Sequence, residues 1–148
     1  MLPETKQETF SPEFRLNLMR VVNWDDFNIC VASVTHACAN QQFSGVYGFP
    51  RGGLCLAVAL SHSLEIPLLD KPQPDSLVVD DVYETGLTLS RVRDLPGITA
   101  FVWFSKVEPK WWSAVETTDP QQWLVFPWEK VHFAELDEQA YRLSARKQ

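Results

Sequence analysis

Two adjacent carboxylates, Asp80 and Asp81, come immediately after an apolar run at residues 77–79. The run predicts a buried strand, and open α/β sheets bind their ligands at the carboxyl ends of such strands. Two acids in that position can hold the hydroxyls of a ribose, or a Mg²⁺ ion that phosphate groups share. The simpler alternative is an acidic turn in which Asp81 and Thr85 act as caps, since capping acids are common.

The segment that follows has the composition of a phosphate-binding turn, Glu84-Thr85-Gly86-Leu87-Thr88. Gly86 lets the backbone approach a ligand closely, and the two threonines supply hydroxyl donors. We expect a short helix to begin here, and the N–H groups at the start of a helix attract anions. The segment therefore predicts a site for a ribose phosphate.

Two further residues can recognise such a ligand. Lys106 lies at the end of a predicted strand and can donate to a carbonyl oxygen, although a solvated surface lysine is equally consistent with the sequence. Trp123 offers a flat face for a base, although a tryptophan more often belongs to a core.

These residues need a scaffold in which strands and helices alternate, and that alternation predicts a mainly parallel α/β sheet flanked by helices. We expect one domain over residues 1–148, with an extended arm at residues 1–12. The predicted strands are 45–49, 66–69, 77–79, 98–104 and 123–126. The predicted helices run from Asn23 to about 42, from 54 to 64, from the acidic segment to about 94, and from 135 to 146.

Composition excludes several classes of function. The net charge of −6 opposes sequence-independent binding of nucleic acid. The longest apolar run, residues 54–60, is too short to span a bilayer, and the beginning of the sequence lacks the pattern of a signal peptide. We therefore expect a soluble, cytoplasmic protein with reduced, buried cysteines and no zinc site. The histidines are assigned to packing or the surface; they are His36, His62 and His132.

Taken whole, residues 77–89 resemble the phosphoribosyl diphosphate (PRPP) motif of type I phosphoribosyltransferases. Residues 48–54, Gly-Phe-Pro-Arg-Gly-Gly-Leu, resemble the pyrophosphate loop of that family. The resemblance implies a Rossmann-like fold of the type I class. It also implies that Arg51, which follows the predicted strand at residues 45–49, binds the diphosphate together with Gly52, and that the Arg51–Gly52 peptide bond is cis. The alternative for Arg51 is a turn with a solvated arginine.

The resemblance is closest to the bacterial xanthine–guanine phosphoribosyltransferases and spans roughly residues 22–129. It implies that Lys106 contacts the exocyclic oxygen of a purine. It implies further that Trp123 stacks on the base, with Leu124 in the same base-binding segment. Glu84 stands where purine enzymes of the family usually have an aspartate that accepts a proton near N7 of the base.

The predicted function is that of a purine phosphoribosyltransferase. Such an enzyme transfers the phosphoribosyl group of PRPP to a 6-oxopurine, giving a nucleoside 5′-monophosphate and pyrophosphate. By resemblance Asp80 and Asp81 hold the ribose and Mg²⁺, with Asp81 as the metal ligand, and Asp81 and Glu84 act in catalysis. The 5′-phosphate is expected on residues 84–88, and the assembly is expected to be a homo-oligomer.

Two departures from the family pattern support an alternative function. Only about seven residues, two of them prolines, join the strands that end at Leu69 and begin at Leu77, where family members usually carry a long mobile lid. Glu84 is one methylene longer than the usual aspartate. The alternative is a non-catalytic module that binds PRPP or a nucleotide and regulates a partner.

Overall fold

The computed structural model describes residues 19–145 of the chain. In chain order its elements are β1 (Met19–Val21), α1 (Trp24–Cys38), β2 (Val46–Gly48), α2 (Gly52–Ser63), β3 (Leu77–Tyr83), α3 (Leu87–Ser90), β4 (Thr99–Ser105), β5 (Ser113–Thr117), β6 (Trp123–Val125) and α4 (Val131–Ala145). The chain divides into two compact units, one of residues 24–120 and one that joins residues 19–23 to 121–145. The single domain stays a prediction, and the predicted arm at residues 1–12 lies outside the described residues.

The larger unit contains a four-stranded sheet in the order β2-β3-β4-β5, and every neighbouring pair of strands in it is parallel. A parallel sheet is covered on both faces, so its central strands are apolar without alternation. Leu77, Val78 and Val79 accordingly have no measurable exposure. The predicted parallel α/β fold is confirmed.

A hydrophobic cluster beneath this sheet, the sheet core, is formed by Phe49, Val78, Leu89, Val92, Ala100, Val102 and Trp112. Two partly buried tyrosines, Tyr47 and Tyr83, pack against it. Its members come from β2's end, β3, the α3 region, β4 and the segment before β5. The same cluster therefore supports each connection that leaves the carboxyl edge of the sheet.

Helices α1 and α2 bury residues at helical spacing in the larger unit. The apolar stripe of α1 contains Phe27, Cys30, Val34 and Cys38. Burial raises the pKa of the Cys30 thiol to about 12 and also raises the pKa of Cys38, so these two thiols are buried as expected. Cys55 is only half-buried, and all three cysteines are free.

The smaller unit pairs β1 with β6 in parallel, Met19 opposite Trp123 and Val21 opposite Val125. The pairing continues where the Val22 N–H donates to the Val125 carbonyl over 2.9 Å. Helix α4 carries an i, i+4 ion pair between Arg142 and Glu138 at 2.7 Å.

Several predicted boundaries were wrong. The strand predicted at 77–79 extends to Tyr83, because β4 satisfies its backbone groups as far as the pair of Tyr83 and Ser105. The strand predicted at 66–69 is reduced to a single bridge between Leu68 and Val46. Helix α1 ends at Cys38 rather than near 42, α3 ends at Ser90 rather than near 94, and α4 begins at Val131 rather than 135. Strands β1 and β5 were not predicted.

No helix within residues 19–145 is long and apolar enough to cross a membrane.

Candidate functional site

Three connections leave the same edge of the larger sheet. They follow β2, β3 and β4, which are neighbours and run parallel, so their carboxyl ends meet at one edge. The first connection carries Arg51, the second carries Glu84, and the third carries Lys106. The fold thus brings together three of the segments that the sequence singles out.

The two acids lie within strand β3, not in a loop after it as the sequence predicted. Strand β2 ends at Gly48, opposite Val79, and the Phe49 N–H continues the ladder by donating to the Val79 carbonyl over 3.1 Å. Asp80 and Asp81 therefore project beyond the end of β2. On the side where β2 has ended, they face the turn that begins α2.

The backbone of that turn lies so close to β3 that residues 52 and 53 have no room for a side chain. A Cβ atom on Gly52 would overlap the Asp81 carboxylate, and one on Gly53 would lie 2.7 Å from the Val79 carbonyl oxygen. The cis peptide bond is Pro50–Arg51, one bond before the predicted Arg51–Gly52. Arg51 is exposed at the start of α2, and its carbonyl accepts from the Leu54 N–H over 3.1 Å.

The electrostatics of the acidic pair are unusual for neutral pH. Asp80 is 9% exposed; its burial, and then the charge of Asp81, raise its pKa to about 8. Burial also raises the pKa of Asp81, and the charge of Glu84 adds to that effect. Each carboxylate accepts one backbone N–H, Asp80 from Asp81 over 2.9 Å and Asp81 from Val82 over 2.8 Å. The pair is suited to bind a cation or hydroxyl donors. Either would stabilise the ionised carboxylates and so offset the free-energy cost of ionising them in a buried position.

The turn at residues 84–88 is partly exposed and has one special backbone position. Gly86 has a φ of +82° and precedes the single turn of α3, a conformation that favours glycine. Thr85 Oγ1 accepts from the Leu87 N–H over 3.4 Å, and Thr85, Leu87 and Thr88 are all exposed. Leu89, the residue after the turn, is buried in the sheet core and therefore packs the end of the turn against that core.

Glu84 and Lys106 form an ion pair. Lys106 Nζ lies 2.7 Å from Glu84 Oε1, and the lysine side chain is only 8% exposed against 30% for the glutamate. The Lys106 N–H also donates to the Tyr83 carbonyl over 2.9 Å. The solvated surface lysine that the sequence left open is therefore excluded.

Sequence reasoning missed an aromatic support below the turn. The Tyr83 ring is stacked on Trp112 with centroids 3.8 Å apart and planes 12° apart. A Cβ atom on Gly86 would overlap the Tyr83 hydroxyl. The available signal was a tyrosine inside the acidic motif together with the Trp111-Trp112 pair, but nothing in the sequence connects the two.

Trp123 and Leu124, predicted to bind the base, lie on β6 of the smaller unit. Leu124 is 7% exposed and Trp123 is half-buried. Their contact with a base stays a prediction.

The three histidines are exposed, and residues 19–145 contain no group of three or more His, Cys, Asp or Glu side chains that could hold a metal ion.

No protein-family profile matches this chain. A xanthine–guanine phosphoribosyltransferase of Chromohalobacter salexigens is 26% identical over 133 residues, covering 73% of this chain and 82% of that protein. A purine phosphoribosyltransferase from Pyrococcus horikoshii has a TM-score of 0.63 at 25% identity, over 76% of this chain and 95% of its own.

Two other solved structures share the fold at 17% identity. A Helicobacter pylori xanthine–guanine–hypoxanthine phosphoribosyltransferase has a TM-score of 0.59 over 80% of this chain and 98% of its own. A hypothetical protein from Neisseria gonorrhoeae with bound ppGpp has a TM-score of 0.60 over 82% of this chain and 96% of its own. The resemblance to the type I phosphoribosyltransferases that the motifs indicated is confirmed in sequence and in fold.

Proposed function

Since this chain resembles the purine phosphoribosyltransferases in sequence and fold, we propose that it transfers the phosphoribosyl group of PRPP to a 6-oxopurine. N9 of the base would bond to C1 of the ribose as the bond from C1 to pyrophosphate breaks, giving a nucleoside 5′-monophosphate. The observation that carries the proposal is the meeting of three segments at one sheet edge: the Arg51 turn, the acidic strand with its turn, and Lys106. A cytoplasmic location and a homo-oligomeric assembly belong to the same proposal.

The acidic pair is assigned to the ribose and to Mg²⁺. Asp80 and Asp81 would accept hydrogen bonds from the ribose hydroxyls, which relieves part of the cost of their burial. Two carboxylates alone make an incomplete cage, but Mg²⁺ commonly takes one or two carboxylates and completes its shell with substrate phosphates and water. The residues therefore fit an ion delivered with PRPP, with Asp81 as its protein ligand. When bound, the ion would offset the negative charge of the leaving diphosphate.

The phosphates are assigned to the two turns. The 5′-phosphate would bind at residues 84–88 through backbone N–H groups and the hydroxyls of Thr85 and Thr88. The diphosphate would bind Arg51 and the Gly52 N–H, where a guanidinium makes strong, charge-assisted hydrogen bonds. The glycines at residues 52 and 53 allow this turn to lie close to the acids. The 5′-phosphate and the diphosphate would therefore both bind near Asp81.

The base is assigned to Lys106, Trp123 and Leu124. Lys106 would donate to the 6-oxygen while its pairing with Glu84 holds the ammonium in place. Trp123 would stack on the purine, with Leu124 beside it. Glu84 would accept the purine proton near N7 through the carboxylate oxygen that does not face Lys106.

A turnover assay tests this function. The full chain with Mg²⁺ and PRPP should release pyrophosphate and form the corresponding monophosphate with hypoxanthine, guanine or xanthine, and should do so far more slowly with adenine or uracil. Product formation with adenine alone would contradict the assignment of Lys106. No turnover with any base would contradict the enzymatic proposal.

A second candidate function is a binding module that senses a nucleotide without turnover. It is supported by the connection between residues 69 and 77, which is short and held down: Ser44 Oγ donates to the Pro74 carbonyl over 2.9 Å, and the Asp75 N–H donates to the Pro96 carbonyl over 2.9 Å. A lid that closes over PRPP needs a mobile segment. The structural relative with bound ppGpp makes guanine nucleotides suitable probes.

This alternative has its own signature. GMP or ppGpp should change the tryptophan fluorescence in a saturable way, Thr88→Ala should abolish the change, and no base should turn over. Turnover at rates typical of enzymes, roughly 1 s⁻¹ or more, would exclude it.

A further inference from the structure

Tyr83 closes strand β3 and contacts the turn at residues 84–88 from below. Its hydroxyl lies directly against Gly86, where an added Cβ atom would overlap it. Its carbonyl accepts from the Lys106 N–H over 2.9 Å. Tyr83 thus touches the turn through its side chain and the residue that follows β4 through its backbone.

The Tyr83 ring itself is stacked on a buried partner. Trp112 is 5% exposed and stacks on it at 3.8 Å between centroids. Trp112 Nε1 donates to Ser105 Oγ over 3.3 Å, and that hydroxyl donates to the Val107 carbonyl over 2.5 Å. Because the indole is held by both packing and a hydrogen bond, the tyrosine ring has a rigid base.

This support acts at the position of the turn that has the greatest freedom. Gly86 has a φ of +82°, and a glycine can leave that conformation at little steric cost. Its orientation determines where the backbone and hydroxyl groups of the turn point. Displacement of a binding group by about 1 Å is enough to cost a large factor in affinity or rate.

We propose that Tyr83 is a positioning residue for the phosphate-binding turn at residues 84–88. It does not touch the ligand; its hydroxyl holds Gly86 in place while Trp112 holds the ring. The inference rests on the proposed function, because it assumes that this turn binds the 5′-phosphate. It assigns to Tyr83 a role that neither the acidic motif nor the resemblance predicts.

The contrasting possibility is that Tyr83 only fills space in the sheet core. Tyr47 provides a matched control, because it also packs against that core, at 5.1 Å and edge-on to Phe49. A space-filling role predicts that loss of either tyrosine lowers stability and leaves the affinity for phosphate unchanged. A positioning role predicts that only the loss of Tyr83 weakens phosphate binding.

The experiment measures the dissociation constant of GMP by calorimetry and the melting temperature for the full chain and its variants. Tyr83→Leu should weaken GMP binding at least about tenfold, which corresponds to roughly 1.4 kcal/mol. Tyr47→Leu should bind GMP with a dissociation constant within about twofold of that of the unmodified protein, although its melting temperature falls by an amount comparable to that of Tyr83→Leu. Tyr83→Phe, which keeps the stack and loses the hydroxyl packed against Gly86, should weaken GMP binding about threefold, because the turn loses one packing atom and shifts slightly.

Each outcome decides the inference. Equal GMP affinity in Tyr83→Leu, Tyr47→Leu and the unmodified protein overturns it and leaves the proposed function intact. If Tyr83→Leu does not fold, Tyr83→Phe decides: weaker binding supports the inference, and unchanged binding overturns it. If the unmodified protein binds no GMP, the proposed function and the inference both fall.

Discussion

At the residue scale, the buried acid Asp80 links the site to the stability of the fold. Burial and the charge of Asp81 raise its pKa to about 8 in the folded chain, whereas the unfolded chain ionises an aspartate near pH 4. Between those values the folded state keeps a proton that the unfolded state has lost. The contribution of Asp80 to stability therefore falls as the pH rises through this window.

Replacing Asp80 by Asn should consequently stabilise the protein, and more so at higher pH. We expect Asp80→Asn to raise the free energy of unfolding by about 1–3 kcal/mol at pH 8 and by less at pH 5. Urea unfolding at both pH values measures the difference. Asp70→Asn, at an exposed acid, serves as the control and should change little. An equal gain at both pH values would show that ionisation is not the cause.

The ion pair between Lys106 and Glu84 leads to a prediction about the base. Lys106→Met should weaken GMP binding about tenfold or more, because hydrogen bonds to charged groups are worth roughly 1.5–3 kcal/mol, and should affect AMP far less. Lys110→Met, at an exposed lysine of the same connection, should leave both affinities unchanged. Equal losses for GMP and AMP would assign Lys106 to structure rather than to recognition of the 6-oxygen.

At the scale of elements, the start of α2 is shaped by its approach to β3. Buried residues of α2, among them Leu56 and Leu60, hold the helix against the sheet. That packing brings its first residue, Gly52, against the Asp81 carboxylate. The turn and the acids therefore form one rigid arrangement, in which a side chain at residue 52 has no room.

Gly52→Ala should disturb both the fold and the site. We expect it to lower the free energy of unfolding by about 1–3 kcal/mol, the range for overpacking, and to abolish measurable PRPP binding. Val58→Ala, at an exposed position of the same helix, should change the stability by no more than about 0.5 kcal/mol. Urea unfolding and PRPP calorimetry test both statements, and normal PRPP affinity in Gly52→Ala would refute the assignment of this turn.

At the scale of the whole molecule, the net charge of −6 opposes the approach of an anionic ligand. Under the proposed function, binding would then come from local groups such as Arg51 and the backbone of the turns, and it would be linked to folding. GMP at one hundred times its dissociation constant should stabilise the chain by about 2.7 kcal/mol. A scanning calorimeter should record a higher melting temperature with GMP and no change for Thr88→Ala. An unchanged melting temperature in the unmodified protein would argue against a folded-state nucleotide site.

The parts of the fold that the sequence predicted are those with a local pattern. Apolar runs identified β2, β3, β4 and α2, and helical spacing identified α1, because such patterns arise within one element. Strand β5 carries a mixed pattern in which no side chain is fully buried, so only its pairing with β4 defines it. The end of β3 was misplaced because its last residues are held by β4 rather than by their own hydrophobicity.

For the candidate site, the residue types could be predicted from the chain: paired acids, a glycine and hydroxyls in one turn, an arginine, a lysine. Only the fold brings particular ones together. It placed Asp81 inside a strand against Gly52, paired Glu84 with Lys106, and set Tyr83 on Trp112 beneath Gly86. Apart from the local contact of Tyr83 with Gly86, these contacts join residues 22 to 29 positions apart in the sequence, and they depend on where each strand ends and how neighbouring strands are aligned.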